Sequence, residues 1–149
     1  MNLSPVLAPE PELQAFLSTR DPTLALRLRT LAHAWTTAGG ALLVGRHAVR
    51  LVGRGRAAPF TAGTLRVRDG HAELELSRVL LQGNGVSLEA WQAWCDERPE
   101  LRTHGFAPSG KFPTVRLDAL PDGSLARLAV GLRDLAHAVQ APRPVAPNA

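Results

Sequence analysis

The octapeptide GFAPSGKF, Gly105 to Phe112, has the spacing of a phosphate-binding loop: a glycine, four residues, then Gly-Lys. In a working loop of that kind a buried strand leads in and a helix leads out. Backbone N–H groups at the helix N-terminus then face the phosphates, and a Ser or Thr after the lysine reaches the metal. Here Phe112 stands in the hydroxyl position, Pro113 follows, and the next segment, TVRLD, reads as a strand. The preceding ELRTH is too polar for a central strand. The lookalike is therefore expected to be a connector with Lys111 in water.

The other groups capable of chemistry are dispersed. Cys95, the single cysteine, stands in WQAWCDE four residues after Trp91 with no adjacent His, Lys or Arg. It reads as a buried thiol acting as a small hydrophobe. Asp134 and His137 are three apart and share a helix face, the spacing of an ordinary surface pair. Glu73 and Glu75 alternate on a strand face beside Arg66, the pattern of a solvated cross-strand ion pair, and Asp96-Glu97 lacks a burial signal. Gly83-Asn84-Gly85, ahead of a helix, has the backbone freedom to cradle an anion, but without a third glycine it reads as a turn. No Ser, His and Asp grouping with an elbow motif, no metal-ligand spacing and no cofactor fingerprint emerges, so the chain leans away from catalysis.

Charge is the most informative feature. From Arg46 through Arg68 there are six Arg and no acid, whereas Asp69 through Glu100 holds seven acids against Arg78 and Arg98. Hairpin register sets Arg66 against Glu73 and Arg68 diagonal to it, which leaves Arg46, Arg50, Arg54 and Arg56 as an uncommitted set. Four phosphate contacts would give weak, salt-sensitive, nonspecific nucleic-acid binding, with a slope of about −3.6 in a log-log salt plot. The formal net charge is only +4, and because Lys111 is the sole lysine among 17 basic residues, the arginines raise the isoelectric point out of proportion to that excess.

The elements that must position these residues are mostly legible. Pro11 to Thr19 forms a short helix with Leu13, Phe16 and Leu17 as its apolar side. Asp21 caps a second helix, Pro22 suits its first turn, Leu24, Leu28, Leu31 and Trp35 recur at helical spacing, and Gly39-Gly40 end it. The period then changes to two. ALLV and HAVRLV read as a hairpin around Gly45-Arg46, with Leu42, Val44, Val49 and Leu51 on one face. TLRVR and HAELELS form a second hairpin around Asp69-Gly70, a dipeptide suited to a type I′ turn, which places Leu65 and Val67 opposite Leu74 and Ala72. A third helix starts at an N-cap on Ser87, stapled by Val86 and Trp91, and runs to about Glu97 with Leu88, Trp91 and Cys95 as its buried stripe. TVRLD and a last helix carrying Leu125, Leu128, Leu132, Leu135 and Val139 complete the chain.

At 149 residues, with 45% apolar and 20% charged, this composition excludes disorder and suits one domain that buries about 68–70% of its unfolded surface. Residues 1–10 and 141–149 are Pro-rich and read as extended tails around a domain at 11–140. No apolar run approaches a membrane span, and no basic-then-apolar leader opens the chain, so a cytoplasmic location is expected.

The segment SGKFPTVRLDALPDGSLARL resembles the C-terminal end of the YdhG-like domains, in which a Ser-Lys-Gly loop leads into a strand, a Pro turn and a last amphipathic helix. Ser109, Lys111, Thr114, Val115, Arg116 and Pro121 are the matching positions, about a fifth of the chain. Here Gly110 precedes the lysine and Phe112-Pro113 is extra. The resemblance implies a compact α+β fold with helices on one face of an antiparallel sheet. Some members of that family are described as frataxin-like iron carriers, a role whose acidic surface is not evident in this sequence.

The expected architecture is α+β: an antiparallel sheet of two hairpins plus a C-terminal strand, with three to four helices packed mainly on one face. The expected function is non-enzymatic binding of an acidic macromolecule through Arg46, Arg50, Arg54 and Arg56. A protein partner, including a second copy of the chain as a homodimer, comes ahead of nucleic acid, because a basic loop and an acidic segment in one chain can pair between subunits. The alternative is a small-molecule or anion carrier with a pocket between the sheet and the third helix.

Overall fold

A computed structural model describes residues 10–140; residues 1–9 and 141–149, which hold nearly all of both Pro-rich tails, lie outside the described residues. Glu10, assigned by sequence to the first tail, instead opens α1 (Glu10–Ser18) and meets Arg29 at 2.5 Å. The order is then α2 (Pro22–Thr37), β1 (Ala41–Val44), β2 (Ala48–Gly53), β3 (Phe60–Arg68), β4 (His71–Leu76), α3 (Arg78–Gly83), α4 (Leu88–Asp96), a 3-10 helix (Pro99–His104), β5 (Thr114–Arg116) and α5 (Asp122–Gln140). The fold is α+β around a five-stranded antiparallel sheet in the order β1-β2-β3-β4-β5. No described helix is long and apolar enough to cross a membrane.

Period-two patterning decides which face of the sheet is covered. One row crosses all five strands, Val44–Val49–Leu65–Leu74–Val115, and Val49, Leu65, Leu74 and Val115 in it are buried. The next row, Leu43–Arg50–Thr64–Glu75–Thr114, points the other way, as a strand pleat requires, and its Leu43 and Arg50 are exposed. The apolar face packs on helices. Helix α2 is capped by Asp21, which accepts from the Thr23 and Leu24 N–H groups, and it buries Leu28, Leu31 and Trp35. The Trp35 indole N–H donates to the Val52 carbonyl at 2.9 Å. Helix α5 buries all five residues assigned to its stripe, each contributing about 1.5–3 kcal/mol relative to exposure.

The second hairpin has the expected register, Leu65↔Leu74, Arg66↔Glu73, Val67↔Ala72 and Arg68↔His71, with Asp69 and Gly70 at φ 51° and 78°. Arg66 reaches diagonally, however, with Nη1 and Nη2 donating to Glu75 at 3.2 and 3.4 Å and Glu73 farther away at 3.7 Å. In the first hairpin the face assignment stands but the turn moves. Gly45 N donates to Ala48 O, so Arg46 and His47 make the reversal. The Val67 N–H of β3 donates to the carbonyl of this turn residue His47 at 3.1 Å.

The helix count exceeds the three to four expected, because RVLLQ folds as α3 and PELRTH as the 3-10 helix. Helix α3 has six residues and buries only Leu81, so it carries no stripe for periodicity to detect. On α4, Trp91 and Cys95 are buried as expected, but Leu88 is exposed and Trp94 is buried in addition. Trp94 stacks on Trp91 with ring centroids 5.5 Å apart and donates its N–H to the Gly131 carbonyl of α5. Leu88, one turn before Trp91, is left exposed.

Candidate functional site

The octapeptide Gly105–Phe112 is a connector. Gly105 ends the 3-10 helix in the left-handed region, Phe106 is buried against Trp91 and Trp94, Lys111 is exposed, and β5 follows where a phosphate loop needs a helix. Its carbonyls are already used. Pro108 O accepts from Trp91 Nε1, Gly110 O from Arg78 Nε and Lys111 O from Arg78 N.

The four uncommitted arginines do not form one patch. Arg50 lies on the open face of β2, with Leu43 and Thr64 as cross-strand neighbours. Arg46 sits in the β1–β2 turn, where its carbonyl accepts from Arg20 Nη2 at 3.1 Å. Arg54 and Arg56 occupy the β2–β3 loop at the other end of β2, a strand about 17 Å long. All four side chains are exposed, and none makes an ion pair among the described residues.

Arg54 and Arg56 are held as a pair in one loop. Their main-chain N–H groups donate to Gln140 Oε1 at 3.0 Å and Asn84 Oδ1 at 2.9 Å. Between them Gly55 adopts φ +75°, where an added Cβ would lie 2.2 Å from the Ala58 carbonyl oxygen. The flanking glycines, a sign of mobility in sequence, therefore serve a tight reversal anchored at two points. The loop borders a concavity of about 640 Å³ whose walls include Gly39, Ala41, Pro59 and Gln140. Gln140 keeps a buried Nε2 donor without a hydrogen-bond partner among the described residues. Gly83 closes α3 and Asn84-Gly85 form the turn, whose asparagine is the loop's anchor. No sequence signal links residues 84 and 140 to residue 55, since both contacts are long-range.

The acidic half is largely engaged from within. Glu75 and Glu73 face Arg66, Glu100 faces Arg127 at 2.6 Å, Glu97 and Asp134 face the buried Arg98, and Asp96 lies 4.0 Å from Arg102. Asp134 is thus turned to Arg98, and no ion pair joins it to His137 among the described residues. Just after β5, Asp118 accepts from Ala72 N of β4 at 2.8 Å and lies 3.0 Å from His71 Nδ1. Burial pushes its carboxyl up, but those bonds prevail and hold it below the ordinary value. Among the described residues no three His, Cys, Asp or Glu side chains converge as a metal site.

A cleft of about 410 Å³ does lie beside α4. Its far wall is Arg78 of α3, Arg102 of the 3-10 helix and the Pro108-Ser109 loop, whereas the sequence expectation put the sheet there. Comparison with protein-family models, curated proteins and solved structures found no match to this chain.

Proposed function

We propose that this chain is a non-enzymatic binding domain that takes an acidic segment of a protein partner on the Arg54–Arg56 loop. The observation that carries this reading is the pinned loop: two exposed guanidinium groups without an ion pair among the described residues, on a backbone held by Asn84 and Gln140. Anchoring lowers the ordering cost of binding. The adjoining concavity, walled mostly by small residues, leaves room for an extended chain.

Nucleic acid fits less well. With Arg46 and Arg50 displaced, two phosphate contacts remain, a slope of only about −1.8, and Phe60, the nearby aromatic, is partly buried against Gly53 and offers no stacking platform. Self-association through opposite charges also loses ground, because most acids of the acidic segment already face cations of the chain.

The double variant Arg54→Ala, Arg56→Ala tests the reading with a labelled Glu-rich decapeptide, a duplex DNA and a light-scattering mass. Folding should be spared and peptide affinity should fall about three- to thirtyfold, the range of two exposed ion pairs. DNA binding whose salt slope flattens by about 1.8 units, without peptide binding, would move the function to nucleic acid. A shift from dimer to monomer at low salt would restore self-association. No response in any of the three would remove the loop as an interface.

A further inference from the structure

The cleft beside α4 lies apart from the arginine loop and has a different chemistry. Leu88, Trp91, Gln92, Cys95 and Asp96 follow one another at helical spacing, so a single stripe of α4 supplies the near wall and floor. Within that stripe polarity is graded. Trp91 and Cys95 are 2% and 4% exposed and form an apolar floor, and Leu88, 53% exposed, forms an apolar rim.

Across from it stand two cations. Arg78 fixes its guanidinium by donating through Nε to Gly110 O at 2.7 Å and through Nη1 to Gln82 Oε1 at 3.3 Å, which leaves Nη2 without a partner among the described residues. Arg102 has a 58% exposed side chain whose ion-pair contact is Asp96 at 4.0 Å, too long for a direct hydrogen bond. The walls therefore carry two positive groups against one carboxylate.

The frame is built before any ligand arrives. Trp91 Nε1 donates to Pro108 O at 3.0 Å, tying the loop to α4, while Arg78 ties the same loop to α3 through Gly110 and Lys111. Trp91 is itself braced by stacking on Trp94. A pre-formed cleft with an apolar floor and placed polar groups on its walls can hold a small molecule, although its lining is more polar than the usual site, and 410 Å³ falls toward the small end of the range for one.

We propose that this cleft binds a small amphiphilic monoanion, a carboxylate on a short alkyl or aryl body, with the body over Trp91, Cys95 and Leu88 and the carboxylate between Arg78 and Arg102. A dianion such as a phosphate ester is disfavoured by Asp96, which leaves a net excess of one positive charge. An apolar body can cover the exposed Leu88 side chain beside that floor, which a bare inorganic anion would leave in water. Burial keeps the Cys95 thiol protonated, so the floor does not repel the ligand. The site holds its ligand without making or breaking a bond.

The test is titration of the full chain with 4-phenylbutyrate and, separately, with the neutral 4-phenylbutanol, followed by amide and indole NMR shifts. Saturable butyrate binding is expected, with shifts confined to Trp91, Cys95, Ser109 and their neighbours and a preference of about tenfold or more over the alcohol, as charge-assisted hydrogen bonds give. Arg102→Ala, at an exposed position, should remove that preference with the fold intact. Ser109→Trp, which fills the mouth without entering the core, should block both compounds. Equal affinity for the two compounds, shifts spread over the arginine loop, or no saturation up to millimolar ligand would each overturn the proposal.

Discussion

Asn84 holds Arg56 in place: its Oδ1 accepts the Arg56 N–H at 2.9 Å while its Nδ2 donates to the Leu80 carbonyl at 2.8 Å. One amide thus bridges the end of α3 and the tip of the β2–β3 loop, 28 residues apart. Asn84→Ala removes both bonds from a partly exposed site where water can replace them. It should cost about 0.5–1.5 kcal/mol and speed hydrogen exchange at the Arg56 amide far more than at β2 or β3 amides. Exchange NMR checks this, and an unchanged Arg56 rate would show that the loop is ordered by something else. Because both guanidinium groups remain, peptide binding should weaken less than in the double arginine variant.

How much of this was readable in advance follows from the range of each interaction. The Asp69-Gly70 turn, the Asp21 and Ser87 caps and the stripe of α5 are set by neighbours a few residues apart, and all of them stand in the structure. The split of Arg46 from Arg54 follows from strand geometry and could have been read once β2 was drawn. The anchoring of the loop could not, because Asn84 and Gln140 reach it from α3 and α5. Leu88 was misplaced for a related reason: periodicity shows that Leu88, Trp91 and Cys95 share a side of α4, but not that this side borders a cleft.

Gly70 isolates the conformational part of turn stability. An added Cβ there would meet nothing within 4 Å, yet the residue sits at φ +78°. Gly70→Val should therefore destabilise by more than about 1 kcal/mol through backbone strain alone, while Gly70→Asn, which tolerates that region, should cost much less. Urea unfolding of the two variants provides the comparison. Equal midpoints would remove the strain argument.

Gly131 tests packing between α4 and α5. A Cβ at this position would lie 2.4 Å from Arg98 Nε and 2.8 Å from Trp94 Cζ2. Arg98 has little freedom to yield, since it is 5% exposed and donates to the Arg127 and Trp94 carbonyls at 3.0 Å each. Alanine gains about 1 kcal/mol of helix propensity, but overpacking and the disturbed arginine should exceed that gain. The net expectation is a loss of at least about 1 kcal/mol with a changed Trp fluorescence. A more stable Gly131→Ala protein would show that the interface relaxes freely.

Cys95 should make the fold sensitive to alkali in an unusually clean way. Burial pushes its thiol up to about 11, with Asp96 adding to the rise and Arg102 and Arg98 offsetting part of it; an unfolded thiol titrates near 8.5. The folded chain thus holds this proton more tightly, so the stabilisation is fully present below about pH 8.5 and is lost as pH rises toward about 11. Few other groups obscure the window, because the sequence contains no tyrosine and its one lysine, Lys111, is exposed. Urea midpoints should fall between pH 8 and pH 10.5 in the native sequence and stay nearly level in Cys95→Ala, even though that variant begins less stable from its lost volume. The same asymmetry governs reactivity. At pH 8 the folded thiol is about one part in a thousand thiolate against about a quarter when unfolded, so iodoacetamide should label the native protein at least about a hundredfold more slowly. A midpoint that falls equally in both proteins would place the alkaline sensitivity elsewhere.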